Sequence, residues 1–225
     1  MSWPTEVLAE AYHATGVFGP DRAVLEWMVD HRTDTWTAVM KAITTLGNTA
    51  TLTVVALLAA MVLAGLRQWR LSLLVSLGSL VAGAIMVGLK NLFERQRPPS
   101  PDRMVDLSTF SFPSGHAMSS TVVYGLIAVA AYRCSGWVRA HRWVLAAAPL
   151  LAVAIGVTRV YLAAHWMTDV LAGWTFGMIY VAAASWLVLR TDPAAPPGSR
   201  AEPPTSAVTP QNSRRGRPPG PPDRS

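Results

Sequence analysis

Phe112-Pro113-Ser114-Gly115-His116 stands where a polar loop gives way to an uncharged apolar run, Ala117 to Tyr132. Pro113 and Gly115 punctuate the chain. Ser114 is a natural N-cap, able to take up an N–H that the first turn of a helix leaves open. A helix is therefore predicted to open here, with His116 at its mouth. Helix N-termini attract anions, phosphate among them. Taken alone, the stretch is equally well a turn, a cap and a bystander histidine. What His116 means depends on the rest of the chain.

The 225 residues are 51% apolar and only 14% charged, where soluble domains carry about a quarter charged residues. Long uncharged runs recur, the mark of an integral membrane protein. The net charge is +6, but no basic block interleaves with aromatics, so no nucleic-acid partner is expected. Cations gathered in loops and tail point to lipid headgroups and topology instead. Cys134 is the single cysteine, which excludes an intrachain disulfide and a multi-cysteine metal site. The N-terminus carries Glu6 and Glu10 rather than a basic stretch before an apolar core, so no cleavable signal peptide is expected.

Five spans are predicted: Thr49 to Leu66, Leu71 to Leu89, Ala117 to Tyr132, Trp143 to Leu162 and Met167 to Leu189. The first measures roughly 27 Å as a helix, enough to cross a bilayer. In the second, Gly78, Gly83 and Gly88 are expected to admit close helix packing. Residues 1–48 form an N-terminal segment in which 23–46 is amphipathic. Trp36, Val39, Met40 and Ile43 share a face there, while Arg32, Asp34 and Lys41 suit an interfacial helix better than a span. Residues 49–190 form the transmembrane domain. Residues 191–225, rich in Pro and Arg, cannot bury a core and are expected to be a disordered cytoplasmic tail. The fold class is all-α: an integral membrane helical bundle of about five spans plus an N-terminal interfacial helix.

On such an alternating bundle the unusual polar residues converge. Lys90 ends the second span and Arg97-Pro98 follows it; Ser114, Gly115 and His116 open the third. Arg159 lies near the end of the fourth, and His165 and Asp169 begin the fifth. All reach one membrane face. Cations at lipid depth are costly unless they meet an anion. Arginine forks match phosphate oxygens and lysine adds a compact charge. His165 and Asp169 are four apart, hence on one helix face. A carboxylate on one ring nitrogen leaves the other aimed as a nucleophile, and His116 opposite is placed to protonate a leaving oxygen. Singly, each group has a plainer use: a helix-face hydrogen bond, a snorkelling cation, a loop charge. Arg95 and Arg103 are assigned that plainer use, as solvated loop charges. Three cations and the lack of further carboxylate or cysteine ligands oppose a divalent metal.

Lys90-Asn91-Leu92-Phe93-Glu94-Arg95-Gln96-Arg97-Pro98, Pro113-Ser114-Gly115-His116 and Thr158-Arg159-Val160-Tyr161-Leu162-Ala163-Ala164-His165-Trp166-Met167-Thr168-Asp169 resemble three signature motifs. In order and spacing these are the motifs of the type 2 phosphatidic acid phosphatase family, whose superfamily includes bacterial acid phosphatases and vanadium haloperoxidases. The resemblance covers residues 45–190. It departs at Thr158, where the family usually has serine, and in lacking a clear sixth span.

The resemblance implies a membrane phosphatase acting on a lipid phosphate or polyprenyl diphosphate. His165 would attack phosphorus to form a phosphohistidine, oriented by Asp169, and His116 would protonate the leaving group. Lys90, Arg97, Ser114, the Gly115 N–H and Arg159 would hold the phosphate oxygens, with no metal or other cofactor. The same site would also suit phosphotransfer to a hydroxyl, vanadate-dependent halide oxidation, or non-catalytic binding of an anionic headgroup. Arg67, Arg70, Arg133, Arg139, Arg142 and Arg190 place the opposite face in the cytoplasm once Lys90, Arg97 and Arg159 are reserved for the site. A multi-pass cell-membrane protein with an extracytoplasmic active site is expected. No oligomeric state is specified.

Overall fold

The computed structural model describes residues 18–99, 102–105 and 107–190. The predicted C-terminal tail lies outside them. Among the described residues eight α-helices follow in order: α1 (Gly19–Asp30), α2 (Asp34–Thr45), α3 (Thr49–Gly65), α4 (Trp69–Phe93), α5 (Gly115–Cys134), α6 (Gly136–Ala140), α7 (Ala147–Tyr161) and α8 (Met167–Arg190). A 3-10 turn, Arg142–Ala146, leads into α7. No strand occurs among the described residues.

Among the described residues four stretches are each long and apolar enough to cross a membrane: α4, α5, Arg142–Tyr161 and most of α8. A fifth arises if α2 and α3, bent by 44° at their junction, make one broken span. The five predicted spans thus correspond to α3, α4, α5, the 3-10 turn with α7, and α8. Residues 23–46 are shared between α1 and α2 rather than forming one helix. Thr33 caps α2, its side chain accepting from the Trp36 N–H.

Helix α5 is the hub, packing against α8, α7, α4 and α3. Its core face carries Val122, Val123, Leu126 and Ala130, which meet Leu52 and Ala56 of α3 and Leu71, Leu74 and Val75 of α4. Leu58, Met61, Leu73, Leu80, Ile179 and Trp186 face outward, as lipid-facing positions should in a bundle whose backbone is satisfied internally.

The most extensive helix contact is that of α5 with α8. A Cβ on Gly173 would fall 2.8 Å from the Ser114 carbonyl oxygen and 3.0 Å from Ala117 Cβ. One on Gly177 would fall 2.8 Å from Thr121 Cβ. Small residues one helical turn apart let the two backbones touch. The packing glycines expected in the second span are only partly so. Gly78 meets Leu126, but a Cβ on Gly83 or Gly88 would have nothing within 4 Å among the described residues, because both point away from the bundle.

Candidate functional site

Helices α4 and α7 end where α5 and α8 begin, and the predicted polar residues gather at that end. Helix α7 closes with Ala163 in the left-handed region (φ 51), where the N–H groups of Ala164 and His165 turn back to the Arg159 carbonyl. Reversal within a few residues sets His165 just before α8. Ser114 caps α5, its oxygen accepting from the Ala117 N–H. Its own N–H donates 3.0 Å to the Asp169 carbonyl. That bond ties the mouth of α5 to the first turn of α8.

His165 is 2% exposed and Asp169 is fully buried. His165 Nδ1 lies 3.5 Å from Asp169 Oδ2. The same carboxylate oxygen accepts from the Trp166 N–H at 3.0 Å and from the Ser111 hydroxyl. On the other side of the ring, Nε2 faces Arg97 Nη1 at 3.1 Å. One nitrogen is therefore held by a carboxylate while the other looks toward a cation. Burial, together with the charges of Arg97 and Lys90, outweighs the pull of Asp169 and holds the His165 imidazole down to a pKa of about 3. It is neutral at physiological pH, the form in which one ring nitrogen keeps its lone pair.

Arg97 donates to the carbonyls of Thr109, Phe110 and Ala164 and to the Thr109 hydroxyl. Burial, with Arg103 nearby and Asp169 opposing, brings its pKa to about 10, so it stays charged at neutral pH. Lys90 Nζ donates at 2.5 Å to the Phe110 carbonyl that also takes Arg97, which brings the two cations to one point. Arg159, 2% exposed, donates from Nη1 to Thr44 Oγ1 at 2.8 Å. Its Nε has no hydrogen-bond partner among the described residues. A buried guanidinium donor left open is costly unless an anion takes it up.

His116 Nε2 lies 2.9 Å from Asn48 Oδ1, and a Cβ on Gly47 would come within 3.0 Å of its ring. The junction between α2 and α3 thus forms one wall of the site. Thr158, the departure from the family motif, is buried and donates to the Ile155 carbonyl at 2.6 Å, so its hydroxyl is spent within its own helix.

A family profile for the PAP2 superfamily matches residues 69–192. Phosphatidylglycerophosphatase B of Bacillus subtilis is 34% identical over 177 residues, 77% of this chain and 85% of that protein. The crystal structure of a transmembrane PAP2-type phosphatidylglycerolphosphate phosphatase from Bacillus subtilis superposes with a TM-score of 0.75 at 30% identity. It covers 83% of this chain and 93% of that one. The chain belongs to the PAP2 superfamily. Decaprenylphosphoryl-5-phosphoribose phosphatase of Mycolicibacterium smegmatis is a further relative, 35% identical over 122 residues, 53% of this chain and 61% of that protein.

This PAP2 protein is a multi-pass membrane hydrolase of the lipid-phosphatase class. Its site contains residues that the sequence reading passed over. Arg95, read as a solvated loop charge, instead pairs with Asp169 at 2.5 Å and with Asp21 of α1 at 2.7 Å. Its two partners each lie 74 positions away, beyond the reach of any local spacing rule. Ser111 and Asn48 likewise meet their partners, Asp169 and His116, 58 and 68 positions away. Ser111 sits three residues before Ser114, close enough to have been suspected. Arg103 keeps its predicted place in the loop, lining a cleft of about 330 Å³ with Arg95 and Arg97.

Proposed function

We propose that this PAP2 protein hydrolyses a lipid phosphate, or an isoprenoid diphosphate, whose tail stays in the bilayer while the phosphoryl group enters the site from the membrane face. The observation that carries this is the two-sided setting of His165, with Asp169 on Nδ1 and Arg97 on Nε2. In the first step the Nε2 lone pair bonds to phosphorus as the bond from phosphorus to the leaving oxygen breaks. His116 gives that oxygen a proton. In the second step water attacks phosphorus and returns a proton to His116. The Nε2–P bond breaks, inorganic phosphate leaves, and both imidazoles are regenerated.

Charge spreads over the three equatorial oxygens in each transition state. Lys90, Arg97 and Arg159 supply the compensating charge, with the first N–H groups of α5 at Ser114-Gly115. The open Nε of Arg159 supports its share. With the cations filling that role, no metal is required by the mechanism. The named relatives, a phosphatidylglycerophosphatase and a decaprenylphosphoryl-5-phosphoribose phosphatase, make phosphatidylglycerophosphate and polyprenyl phosphates the first substrates to try. The active face is extracytoplasmic.

The test is release of phosphate by the purified protein from phosphatidates, phosphatidylglycerophosphate and polyprenyl diphosphates, with and without EDTA. Enzyme quenched in alkaline SDS from a labelled substrate should carry a phosphoryl group that survives base and is lost in acid. That label should be absent in His165→Ala. Activity that survived His165→Ala, or vanished with chelator, would overturn the mechanism.

A further inference from the structure

We infer that Asp21, on the N-terminal helix α1, is a positioning residue for the reaction, acting on Asp169 through Arg95. This rests on the role proposed for the His165–Asp169 pair. Asp21 lies outside the residues 69–192 matched by the family profile, yet its carboxylate is fully buried. Oδ1 accepts from the Thr168 backbone N–H at 2.8 Å; Oδ2 accepts from the Thr168 hydroxyl at 2.5 Å and from Arg95 Nη2 at 2.7 Å. The other arm of Arg95, Nη1, holds Asp169 Oδ1 at 2.5 Å and Thr168 Oγ1 at 2.7 Å.

One guanidinium is thus shared between two buried carboxylates, only one of which faces a histidine. Shared, the cation neutralises each carboxylate in part. Asp169 keeps enough negative charge on Oδ2 to support the imidazole as its Nε2 bonds to phosphorus. If Asp21 were neutral, the whole charge of Arg95 would fall on Asp169 and draw it away from His165. Asp21 also anchors the turn that carries Asp169, since both of its oxygens bond to Thr168. Leu25, one turn along α1, packs fully buried against Ala163 and Trp166, so α1 is seated on the site rather than lying loosely beside it.

The experiment is a double-mutant cycle on the full chain in detergent micelles, with phosphatidylglycerophosphate as substrate: wild type, Asp21→Asn, Arg95→Gln and the double variant. Asp21→Asn is expected to lower kcat on the order of tenfold, as outer partners of functional histidines do, with KM within about twofold, since the interaction acts on the chemical step. The loss should disappear in the Arg95→Gln background. Unchanged kcat in Asp21→Asn, or an equal loss in both backgrounds, would overturn the inference. Should Asp21→Asn fail to fold, Asp21→Ser carries the same cycle, because it too removes the charge facing Arg95 Nη2 while leaving a small polar side chain beside Thr168. His165→Ala is run alongside. Activity there sinks the mechanism itself, whereas an inactive His165→Ala beside a fully active Asp21→Asn sinks only the role of Asp21.

Discussion

Arg97 Nη1 lies 3.1 Å from His165 Nε2 and 2.6 Å from the carbonyl of Ala164. The guanidinium therefore sits over the nitrogen proposed to attack, braced from behind by the Thr109 and Phe110 carbonyls. A phosphoryl group reaching Nε2 must take over that one hydrogen bond, while the remaining contacts keep the fork aimed. Lysine cannot reproduce a fork held at several carbonyls. Arg97→Lys should reduce kcat/KM by about 10²–10³, the usual loss for a donor aimed at transition-state charge. Inhibition by orthovanadate should weaken in parallel, as one fork serves both anions.

Burial of His165 has a consequence for stability. Its folded pKa is about 3 against an ordinary 6.5. Between those values the unfolded chain binds a proton that the folded chain does not, so unfolding takes up a proton and stability falls as pH drops. Above about 6.5 both states are neutral and the effect is absent. In detergent, wild-type Tm should fall more steeply between about pH 6.5 and pH 4 than that of His165→Asn, with parallel curves above that window. Parallel curves throughout would mean the imidazole is solvated.

Ser111 donates to the oxygen of Asp169 that faces His165. A hydrogen bond to a charged group contributes about 1.5–3 kcal/mol. Ser111→Ala leaves the Trp166 N–H on that oxygen, so the carboxylate is loosened rather than orphaned. A drop in kcat on the order of tenfold with little change in KM is expected, measured under saturating micellar substrate.

The bundle was readable because membrane spans announce themselves by length and lack of charge, and the four uninterrupted ones fall where hydropathy puts them. Lys90, Arg97, Ser114, Arg159, His165 and Asp169 were readable as a group because helix direction alone brings span ends to a common face. Arg95 was not. A cation in a polar loop looks the same in sequence whether it faces water or two buried carboxylates, and only the fold brings Asp21 alongside. Gly83 and Gly88 erred in the opposite direction. A glycine in a span signals a possible close approach, but nothing in the sequence says which face of the helix it lies on.

That distinction can be measured. Gly173→Ala places a methyl 2.8 Å from the Ser114 carbonyl, so α8 must shift from α5 and carry Asp169 with it. Overpacking of this kind costs about 1–3 kcal/mol, and kcat should fall as well because the site straddles the contact. Gly83→Ala and Gly88→Ala meet nothing within 4 Å. They should leave activity intact and hold Tm level or raise it, since alanine favours a helix over glycine by roughly 0.5–1 kcal/mol. A loss of activity in either would show that this face of α4 has a partner.

Connectivity decides which residues share the site's end of the bundle. Asn48, which begins α3, touches His116, so residues preceding α3 lie with the site and not with the Arg67–Arg70 turn at the other end of α3. Trp36, on α2, is 56% exposed, while Cys134 closes α5 at the far end. In a Cys134→Ser background, cysteine introduced at Trp36 should react with an impermeant maleimide added to intact cells, because the arginines of the opposite face favour the cytoplasm. With Cys134 retained and Trp36 unchanged, labelling should require permeabilisation. The reverse pattern would turn the protein over in the membrane and make its substrate pool cytoplasmic. Phosphate release measured on sealed cells with an externally added short-chain substrate should then fall silent together with the Trp36→Cys label.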